Sequence, residues 1–521
     1  MHEFLALLIS LTALCLIGFA GVPNSVANRS SGRFRQLVTW IAALQAVAAG
    51  LICVGLATGF TSTISAEFLC IGESGLATLS VYYDGVASLM LSLVAFIGWI
   101  ICKYSIRYLD GEANQGRYFR WASFTIGAVS LMVVSGNLLL FFACWVMTSL
   151  GLHQLLMHYG ERPAARRAAW SKFTVSRLGD VALLGGFTIL YSQFGTLNFS
   201  ELFAAIQQQS VPPSDASTWA SFLLIVGAIT KSAQVPFHTW LPQTMETPTP
   251  VSALMHAGIV NAGGYLIIRT SPIVSLAPTA LVILAIFGAV TACYAAVVML
   301  TQTSVKKSLA YSTVAQMGFM MLQCGLGAFS AAMLHIIAHS LYKAHAFLTS
   351  GSVLSQQAAT LGAKVNSKKP SWFKVAGIGL ATLLILDISL AIFAVDPIAK
   401  PGGLLLGGVL CLAMTSWLSQ VMRAENSRLL YYAMGVTVSL CLAYAASYSV
   451  VDSIVAESLP STALLASGWF LPAMILTGFA GLFLLQASVS SIAQSKRWRA
   501  FYVHASNGFY LESLLRRLAT Q

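Results

Sequence analysis

The chain has 521 residues, of which 57% are hydrophobic and 9% are charged, and its mean hydropathy is +0.77. A soluble protein of this length needs far more charge to cover its surface, so these values exclude a soluble globular protein. The formal net charge of +12 alone would suggest a nucleic-acid partner, but the basic residues are spread over alternate loops and indicate membrane topology instead.

Apolar stretches of about 20 residues recur along the chain, and this length matches the hydrocarbon core of a bilayer. They are continuously apolar and do not alternate at period two, which excludes a transmembrane β-barrel. About fifteen spans are predicted, near residues 3–20, 37–60, 82–102, 121–135, 137–158, 173–194, 218–241, 251–270, 278–300, 309–325, 329–353, 373–394, 403–421, 429–450 and 463–486. The predicted fold is therefore an all-α polytopic transmembrane bundle of 14–15 spans over residues 1–490. The first stretch, "MHEFLALLISLTALCLIGFAG", lacks the basic region of a signal peptide, so we expect it to be kept as the first span.

The loops between the spans alternate in charge. Of the 29 Lys and Arg residues, 24 lie in segments 28–36, 103–120, 160–172, 301–308, 356–374, 421–428 and 491–521. The intervening loops carry acidic residues, namely Glu67, Glu73, Glu201, Asp215, Asp396, Asp452 and Glu457. By the positive-inside rule, this pattern predicts an N-terminus outside the cell and a C-terminus in the cytoplasm.

Residues 491–521 form the last basic segment, and in "SKRWRAFYVHASNGFYLESLLRRLATQ" arginines alternate with aromatic residues and leucine. This composition predicts a cytoplasmic amphipathic segment that lies on the membrane interface or docks a partner. The nine cysteines contain no CxxC pair and mostly lie in apolar runs, which favours small core residues over a metal or disulfide framework.

One lysine stands inside an apolar run. Lys231 follows the uncharged stretch "TWASFLLIVGAIT" and begins "KSAQVPFHTWLPQ". A lysine near the bilayer centre costs at least about 2.5–3.5 kcal/mol, so such a residue is usually functional. Pro236 lacks a backbone donor and disfavours helix before it, so the span is predicted to break just after Lys231. A broken span at membrane depth has to be buried or line a cavity.

A second polar cluster follows the broken span. The stretch "ETPTPVSALMHAG" is predicted to start a helix at its prolines, with His256 two turns in. In "LHIIAHSLYKAHAF", His335, His339 and Lys343 are spaced i, i+4 and i+8, which places them along one stripe of a helix. Such a stripe, with water between its members, can transfer protons. The alternative is that each group merely donates to a neighbouring carbonyl.

Other readings of the polar residues are weaker or stay open. Zinc is disfavoured at the paired histidines because that stretch has no HExxH, no acidic ligand and no thiol. Asp387, predicted to be buried in a later span, is either an exit-side proton carrier or a hydrogen-bonded structural residue. Arg177 and Asp180, at i and i+3, are predicted to form an ion pair. Arg269 and Lys400 stand at span ends, where snorkelling explains them.

The central motif resembles that of the proton-translocating antiporter-like subunits, which include the large membrane subunits of respiratory complex I and of Mrp sodium/proton antiporters. The residues that carry the resemblance are "KSAQVPFHTWLPQTMETPTPVSALMHAG", "DGVASLMLSLVAFIGWIICKYSIRYLDGE", "SRLGD", "VKKSLAYSTVAQMGFM" and "HSLYKAHAFL", across about residues 80–350. The resemblance implies that Lys231 is the lysine of a broken helix. It also implies that the four residues His256, His335, His339 and Lys343 belong to a hydrated polar axis at the membrane midplane.

The chain departs from this family at one informative position. In the respiratory and Mrp members, a glutamate follows a tryptophan in the helix beginning near Asn137 and pairs with the broken-helix lysine. Here Val146 follows Trp145, and no acidic residue occurs from 121 to 160. The usual partner of Lys231 is therefore missing, and Asp180 and His153 are the candidates to replace it.

Two further stretches, the segment from Trp145 to Asp180 and the tail "YVHASNGFYLESLLRRL", carry a closer resemblance, together with the length near 520 residues. They resemble one branch of the family, the DabB-type subunits of bacterial inorganic-carbon accumulation complexes. The branch implies a multi-pass protein of the bacterial inner membrane, and a partner that is a large soluble DabA-like zinc protein similar to carbonic anhydrase. The chain itself would be a transporter subunit without a cofactor and not an enzyme. It would conduct cations, expected to be protons, and so drive one-way CO2 hydration in the partner.

Two alternatives to this function remain. The chain would be a proton-pumping subunit of complex I type or an Mrp sodium/proton antiporter subunit, against which the missing glutamate argues. Otherwise it would be a scaffold that anchors a soluble enzyme, against which the retained Lys231 and histidines argue.

Overall fold

The structure, a computed structural model, describes residues 2–29, 31–59, 63–71, 77–208, 214–351, 371–422, 427–460, 470–492 and 495–520. Predictions that fall on Glu73 and on residues 356–370, 423–426, 463–469 and 493–494 lie outside the described residues.

Most of the described chain is helical. The helices of the first half are α1 (His2–Gly18), α2 (Asn24–Arg29), α3 (Ser31–Ala57), α4 (Gly85–Tyr108), α5 (Gln115–Val134), α6 (Leu138–Leu156), α7 (Pro163–Phe194), α8 (Phe199–Gln208), α9 (Asp215–Lys231), α10 (Thr249–Ala257) and α11 (Ala262–Arg269). Those of the second half are α12 (Ser271–Val274), α13 (Pro278–Met299), α14 (Val305–Gly325), α15 (Phe329–Leu348), α16 (Trp372–Ile392), α17 (Gly403–Met422), α18 (Ser427–Val455), α19 (Phe470–Ile492), α20 (Lys496–Ser506) and α21 (Leu511–Thr520).

The predicted polytopic helical bundle is confirmed. Within the described residues, eleven helices are long and apolar enough to cross a membrane, with α10 and α11 counted together as one span. The four remaining long helices, α5, α9, α14 and α15, pack against these eleven. A small hairpin that the sequence did not predict connects α3 and α4. Its antiparallel strands are β1 (Ile64–Ile71) and β2 (Ala77–Tyr83), with a bulge between Glu67 and Leu69.

Local sequence signals set the helix starts. The Asp84 carboxylate caps α4 by accepting from the Ala87 backbone N–H at 2.9 Å. Pro163 is the first residue of α7, where its missing N–H costs nothing. Ser214 and Ser217 form a reciprocal capping box at the start of α9. Each of these helices therefore begins where a local residue satisfies or removes a free backbone donor.

The core of the bundle lies around the polar motifs. Of the span Thr249–Arg269, which contains α10 and α11, 94% is buried inside the protein, whereas the figure for Phe470–Ser488 in α19 is 11%. Helices α13 and α14 approach closely because Gly288 and Gly318 have no Cβ, which would otherwise meet the backbone of the other helix. The last four spans, α16–α19, thus form the periphery of this chain.

The C-terminal segment, α20 and α21, returns to the ends of α13 and α14. The Tyr294 hydroxyl donates to the Gly508 carbonyl at 2.9 Å, and the Gln302 amide donates to the Ser506 carbonyl at 3.4 Å. Gly508 has φ +59, a conformation that glycine adopts without strain. The predicted amphipathic tail is therefore helical and lies against the transmembrane helices.

Candidate functional site

Helix α9 ends at Lys231, as the sequence predicted. The chain then runs through an irregular segment of turns, 232–243, before α10 begins at Thr249. Ala233 takes a positive φ of 51 within this segment. The break places the side chain of Lys231, which is only 5% exposed, inside the bundle.

The irregular segment forms several hydrogen bonds within the protein. The Val235 backbone N–H donates to the Thr291 hydroxyl at 3.1 Å, and the Ser232 hydroxyl donates to the Val260 carbonyl at 2.6 Å. Gln234 donates from its side chain to the Ser232 carbonyl. A discontinuous helix is stable at membrane depth only when it is satisfied in this way.

Lys231 binds neutral oxygens of α6. Its Nζ donates to the Ser149 Oγ at 2.9 Å and to the Trp145 carbonyl at 3.1 Å, and it lies 4.2 Å from the centre of the Trp145 ring. Among the described residues, no carboxylate forms an ion pair with this amine. Because Val146 stands where the related proteins are expected to have a glutamate, Lys231 contacts a hydroxyl, a carbonyl and an aromatic ring and no described carboxylate.

Among the described residues, Asp180 is connected to the Lys231 site by a hydrogen bond from Trp145. The indole Nε1–H of Trp145 donates to Asp180 Oδ1 at 3.0 Å, while the other carboxylate oxygen lies 2.6 Å from Arg177 Nη2. The predicted pairing of Arg177 with Asp180 is therefore confirmed. His153, the other candidate neighbour, bonds through Nδ1 to the Ala169 carbonyl instead.

A second lysine shares this site, and its predicted place was wrong. Lys172 was assigned to the basic loop 160–172, but it lies within α7 and is 2% exposed. Its Nζ donates to the Ser149 carbonyl at 2.9 Å. The helix begins at Pro163, so the loop is shorter than the charge pattern suggested.

His256 stands one residue before the end of α10, where the helix is interrupted by a 3-10 turn, Ile259–Asn261. The Thr313 hydroxyl donates to the Leu309 carbonyl at 3.0 Å, so His256 Nδ1, 3.1 Å from that hydroxyl oxygen, is the donor to Thr313. The buried Nε2 of His256 then remains an acceptor, and it has no hydrogen-bond partner among the described residues.

The stripe on α15 is confirmed as a geometric feature. His339 Nε2 lies 3.3 Å from the His256 carbonyl, which can only accept, so this nitrogen carries the proton. Lys343 is fully buried and donates from Nζ to the Leu309 carbonyl at 3.1 Å. Leu309 thus connects Lys343 to Thr313 and hence to His256, so the stripe and α10 form one polar cluster.

His335 connects this cluster to a cavity. Its ring lies 6.0 Å from that of His339, and its Nε2 has no hydrogen-bond partner among the described residues. Both rings line a cavity of about 610 Å³ between α13–α15 and α17–α19. Polar side chains in its wall include Gln316, Gln323 and Gln486.

Two predictions about charged residues in the spans were wrong. Asp387 is exposed on the outer face of α16 instead of buried, and it makes no hydrogen bond or ion pair with the residues that the structure describes. Arg269 does not snorkel: it is 3% exposed, pairs with Asp84 at 2.9 Å and donates to the Tyr82 carbonyl. Lys400, for which snorkelling was also predicted, does lie at a span end, between α16 and α17. Its amine pairs with Asp452 at 2.7 Å.

Tyr294 of α13 connects the irregular segment to the C-terminal segment. Because the Tyr294 hydroxyl gives its proton to the Gly508 carbonyl, His238 Nε2, 3.2 Å from that hydroxyl, is the donor to Tyr294. His238 is buried. One tyrosine therefore joins the broken span to the tail.

Residues 135–391 match the family described as NADH:quinone oxidoreductase/Mrp antiporter, TM, and residues 74–119 match the N-terminus of complex I chain 5. The chain is 37% identical to the "Probable inorganic carbon transporter subunit DabB2" of Halothiobacillus neapolitanus over 99% of this chain and 94% of that protein. It is also 37% identical to a subunit named DabB from Hydrogenovibrio crunogenus, over 82% of this chain and 80% of that one. The chain belongs to the DabB-type antiporter-like membrane subunits.

More distant relatives agree with this assignment. NADH-quinone oxidoreductase subunit L of Escherichia coli is 36% identical over 66% of this chain and 56% of its own length. The fold is similar to a chain of the Mrp complex from Dietzia sp., with a TM-score of 0.66 and 21% identity over 98% of this chain and 59% of that one. A DabB-type chain is thus a membrane ion-conducting subunit of a multi-subunit membrane complex.

The sequence did not indicate two residues of this candidate site, Lys172 and His238. Lys172 follows three arginines in the chain, so it was counted with the basic loop. Its distance from Pro163 is the feature that would have placed it inside the helix. His238 lies within the quoted motif, but no spacing rule relates it to Tyr294, 56 residues away.

Proposed function

We propose that this chain is the proton-conducting, energy-coupling subunit of an inorganic carbon transporter. The observation that carries the proposal is Lys231, an amine buried at a helix break within the membrane-spanning bundle and bound to neutral oxygens instead of an acid. A lysine that is not locked in an ion pair can gain and lose its proton, and such residues in membrane spans mark ion pathways.

The residues that follow Lys231 support a path for protons. Neutral His256 has a free acceptor at Nε2, and His339 donates to its carbonyl. His339, Lys343 and His256 are close enough to act on one another electrostatically. Because like charges repel, a second proton that arrives at this cluster favours the release of the first.

The cavity beside His335 supplies the far end of the path. Its volume of about 610 Å³ is ample for many water molecules, each of which needs about 30 Å³ in the liquid. His335 and His339 both face it. In this arrangement protons pass between the cavity and α15 through water, and between His256 and Lys231 through water within the bundle.

The partner is part of the proposal: it rests on the resemblance to the DabB branch, and the relatives are named as subunits of inorganic carbon transporters. No group of three or more metal-ligating residues occurs in the part of the chain that the structure describes. A DabA-like soluble zinc protein on the cytoplasmic side would hydrate CO2, and proton movement down its gradient through this chain would make that reaction one-way. The chain would lie in the bacterial inner membrane with its N-terminus outside and its C-terminal segment facing the partner.

The decisive test is the proton flux of vesicles that contain the purified complex, reported by a pH-sensitive dye after a pH step. We expect Lys231→Ala to reduce the flux at least about 100-fold, the scale of a positioned proton-transfer group. Assembly should be intact by gel filtration, since removing an unpaired amine strands no opposite charge. Lys103→Ala, at an exposed lysine of α4, is the matched control.

The same variants test the role in carbon uptake. Cells that carry assembled Lys231→Ala should accumulate no bicarbonate above the background without the transporter. Normal accumulation would contradict the proposal and favour a scaffold. Metal and mass analysis of the complex separates the remaining alternative: a zinc protein in equal amount supports carbon uptake, and flavin with iron–sulfur subunits supports a respiratory pump.

A further inference from the structure

Lys172 is a buried amine for which neither the topology nor the proton path so far gives a role. It lies nine residues inside α7, whereas Arg166 and Arg167 in the first turn of the same helix are exposed. A lysine side chain is long enough to snorkel from a span end, yet Lys172 points into the bundle and is 2% exposed. Burying a charge in this way costs free energy, so a buried lysine in a membrane span usually has a function.

Ser149 brings Lys172 and Lys231 into one site. The Ser149 hydroxyl accepts from Lys231 Nζ, and the carbonyl of the same residue accepts from Lys172 Nζ, both at 2.9 Å. The two lysines come from different helices, α9 and α7, and meet on α6. Their convergence on one residue is therefore a feature of the tertiary structure and not of local sequence.

The charges around the two amines do not balance. The charged groups that act on Lys172 are Lys231, Asp180 and Arg177. Asp180 already pairs with Arg177 at 2.6 Å. If both amines were protonated, the four charged groups would carry a net charge of about +2, and the two ammonium groups would be buried, where like charges repel strongly.

We propose that Lys172 is a second proton-carrying residue, which shares a single proton with Lys231 in a two-amine site centred on Ser149. This inference rests on the proposed function. In each transfer one N–H bond of an ammonium breaks as the lone pair of the other amine forms a new one, so no co-reactant is needed. The proton on one amine excludes a proton on the other, and the site passes protons one at a time.

Two substitutions separate a proton carrier from a structural hydrogen-bond donor. Lys172→Met removes the amine and keeps the length of the side chain. Lys172→Arg keeps a donor for the Ser149 carbonyl, but a guanidinium does not release its proton in a protein. We expect both variants to assemble and both to lose proton flux at least about tenfold. Arg166→Gln, at an exposed position of the same helix, should match the wild type.

The outcomes distinguish this inference from the proposed function. Wild-type vesicles without proton flux would overturn both. A conducting wild type with a conducting Lys172→Met or Lys172→Arg variant would overturn only the role of Lys172. If neither variant assembles, Lys172→Gln decides, since its amide can donate to the Ser149 carbonyl but does not take up a proton. A flux lowered several-fold supports the shared site, and an unchanged flux contradicts it.

Discussion

Two buried cations in neighbouring spans, Arg269 and Lys231, are equally hidden but differently satisfied. Arg269 is 3% exposed and forms an ion pair with Asp84, which is buried as well. Lys231 is 5% exposed and binds a hydroxyl and a carbonyl. Since a guanidinium stays charged, it requires a permanent counter-charge, whereas an amine without one is free to change its protonation state. The difference separates a structural cation from the proposed transport residue.

The largest effect on stability should come from Arg269→Met. The substitution leaves the Asp84 carboxylate buried without its cation, and breaking a buried pair in this way costs about 3–5 kcal/mol of the free energy of unfolding. The measurement is the midpoint of thermal unfolding in detergent. Lys231→Met, which strands no carboxylate, should lower the midpoint far less. If the two variants lowered the midpoint of thermal unfolding equally, the two cations would not differ in their contribution to stability.

The largest effect on transport away from Lys231 should come from the double variant His339→Ala/Lys343→Ala. It removes two of the buried groups that follow His256 on the path, so proton flux should fall at least about 100-fold. Either single substitution should have a smaller effect, because water can fill the space that it opens. His345→Ala, at an exposed position of α15, is the control. Flux through the double variant at the wild-type rate would exclude α15 from the path.

Trp145→Phe should have an intermediate effect on transport. It removes the donor that connects Asp180 to the Lys231 site and weakens the cation–π contact, a change of about 1.5–3 kcal/mol for a hydrogen bond to a charged group. We expect the flux to fall about tenfold in vesicles, because about 1.4 kcal/mol corresponds to that factor. Trp219→Phe, at an exposed position of α9, should change nothing. An unaffected Trp145→Phe would show that the hydrogen bond from Trp145 to Asp180 does not influence Lys231.

The sequence predicted the features that depend on one segment and missed those that depend on tertiary packing. The break after Lys231 and the stripe on α15 follow from a proline and from helical spacing, which are properties of one segment. Lys172 could not be placed because its burial depends on where α7 begins, and nine residues along a helix amount to about 14 Å. Asp387 was misplaced because α16 is apolar on every side, so its sequence does not indicate which face is buried.

The smallest effect should come from Tyr294→Phe, which tests whether the tail is held through the broken span. The variant loses the hydrogen bonds to His238 and to the Gly508 carbonyl, each worth about 1 kcal/mol. Backbone hydrogen exchange in α20 should become several-fold faster, since about 1.4 kcal/mol changes an opening equilibrium tenfold. Tyr311→Phe removes a neighbouring hydroxyl that is also close to Gly508 and should leave the exchange unchanged. If both variants behaved alike, ring packing and not the hydroxyl of Tyr294 would hold the tail, and the hydrogen bonds through Tyr294 would not connect the broken span to it.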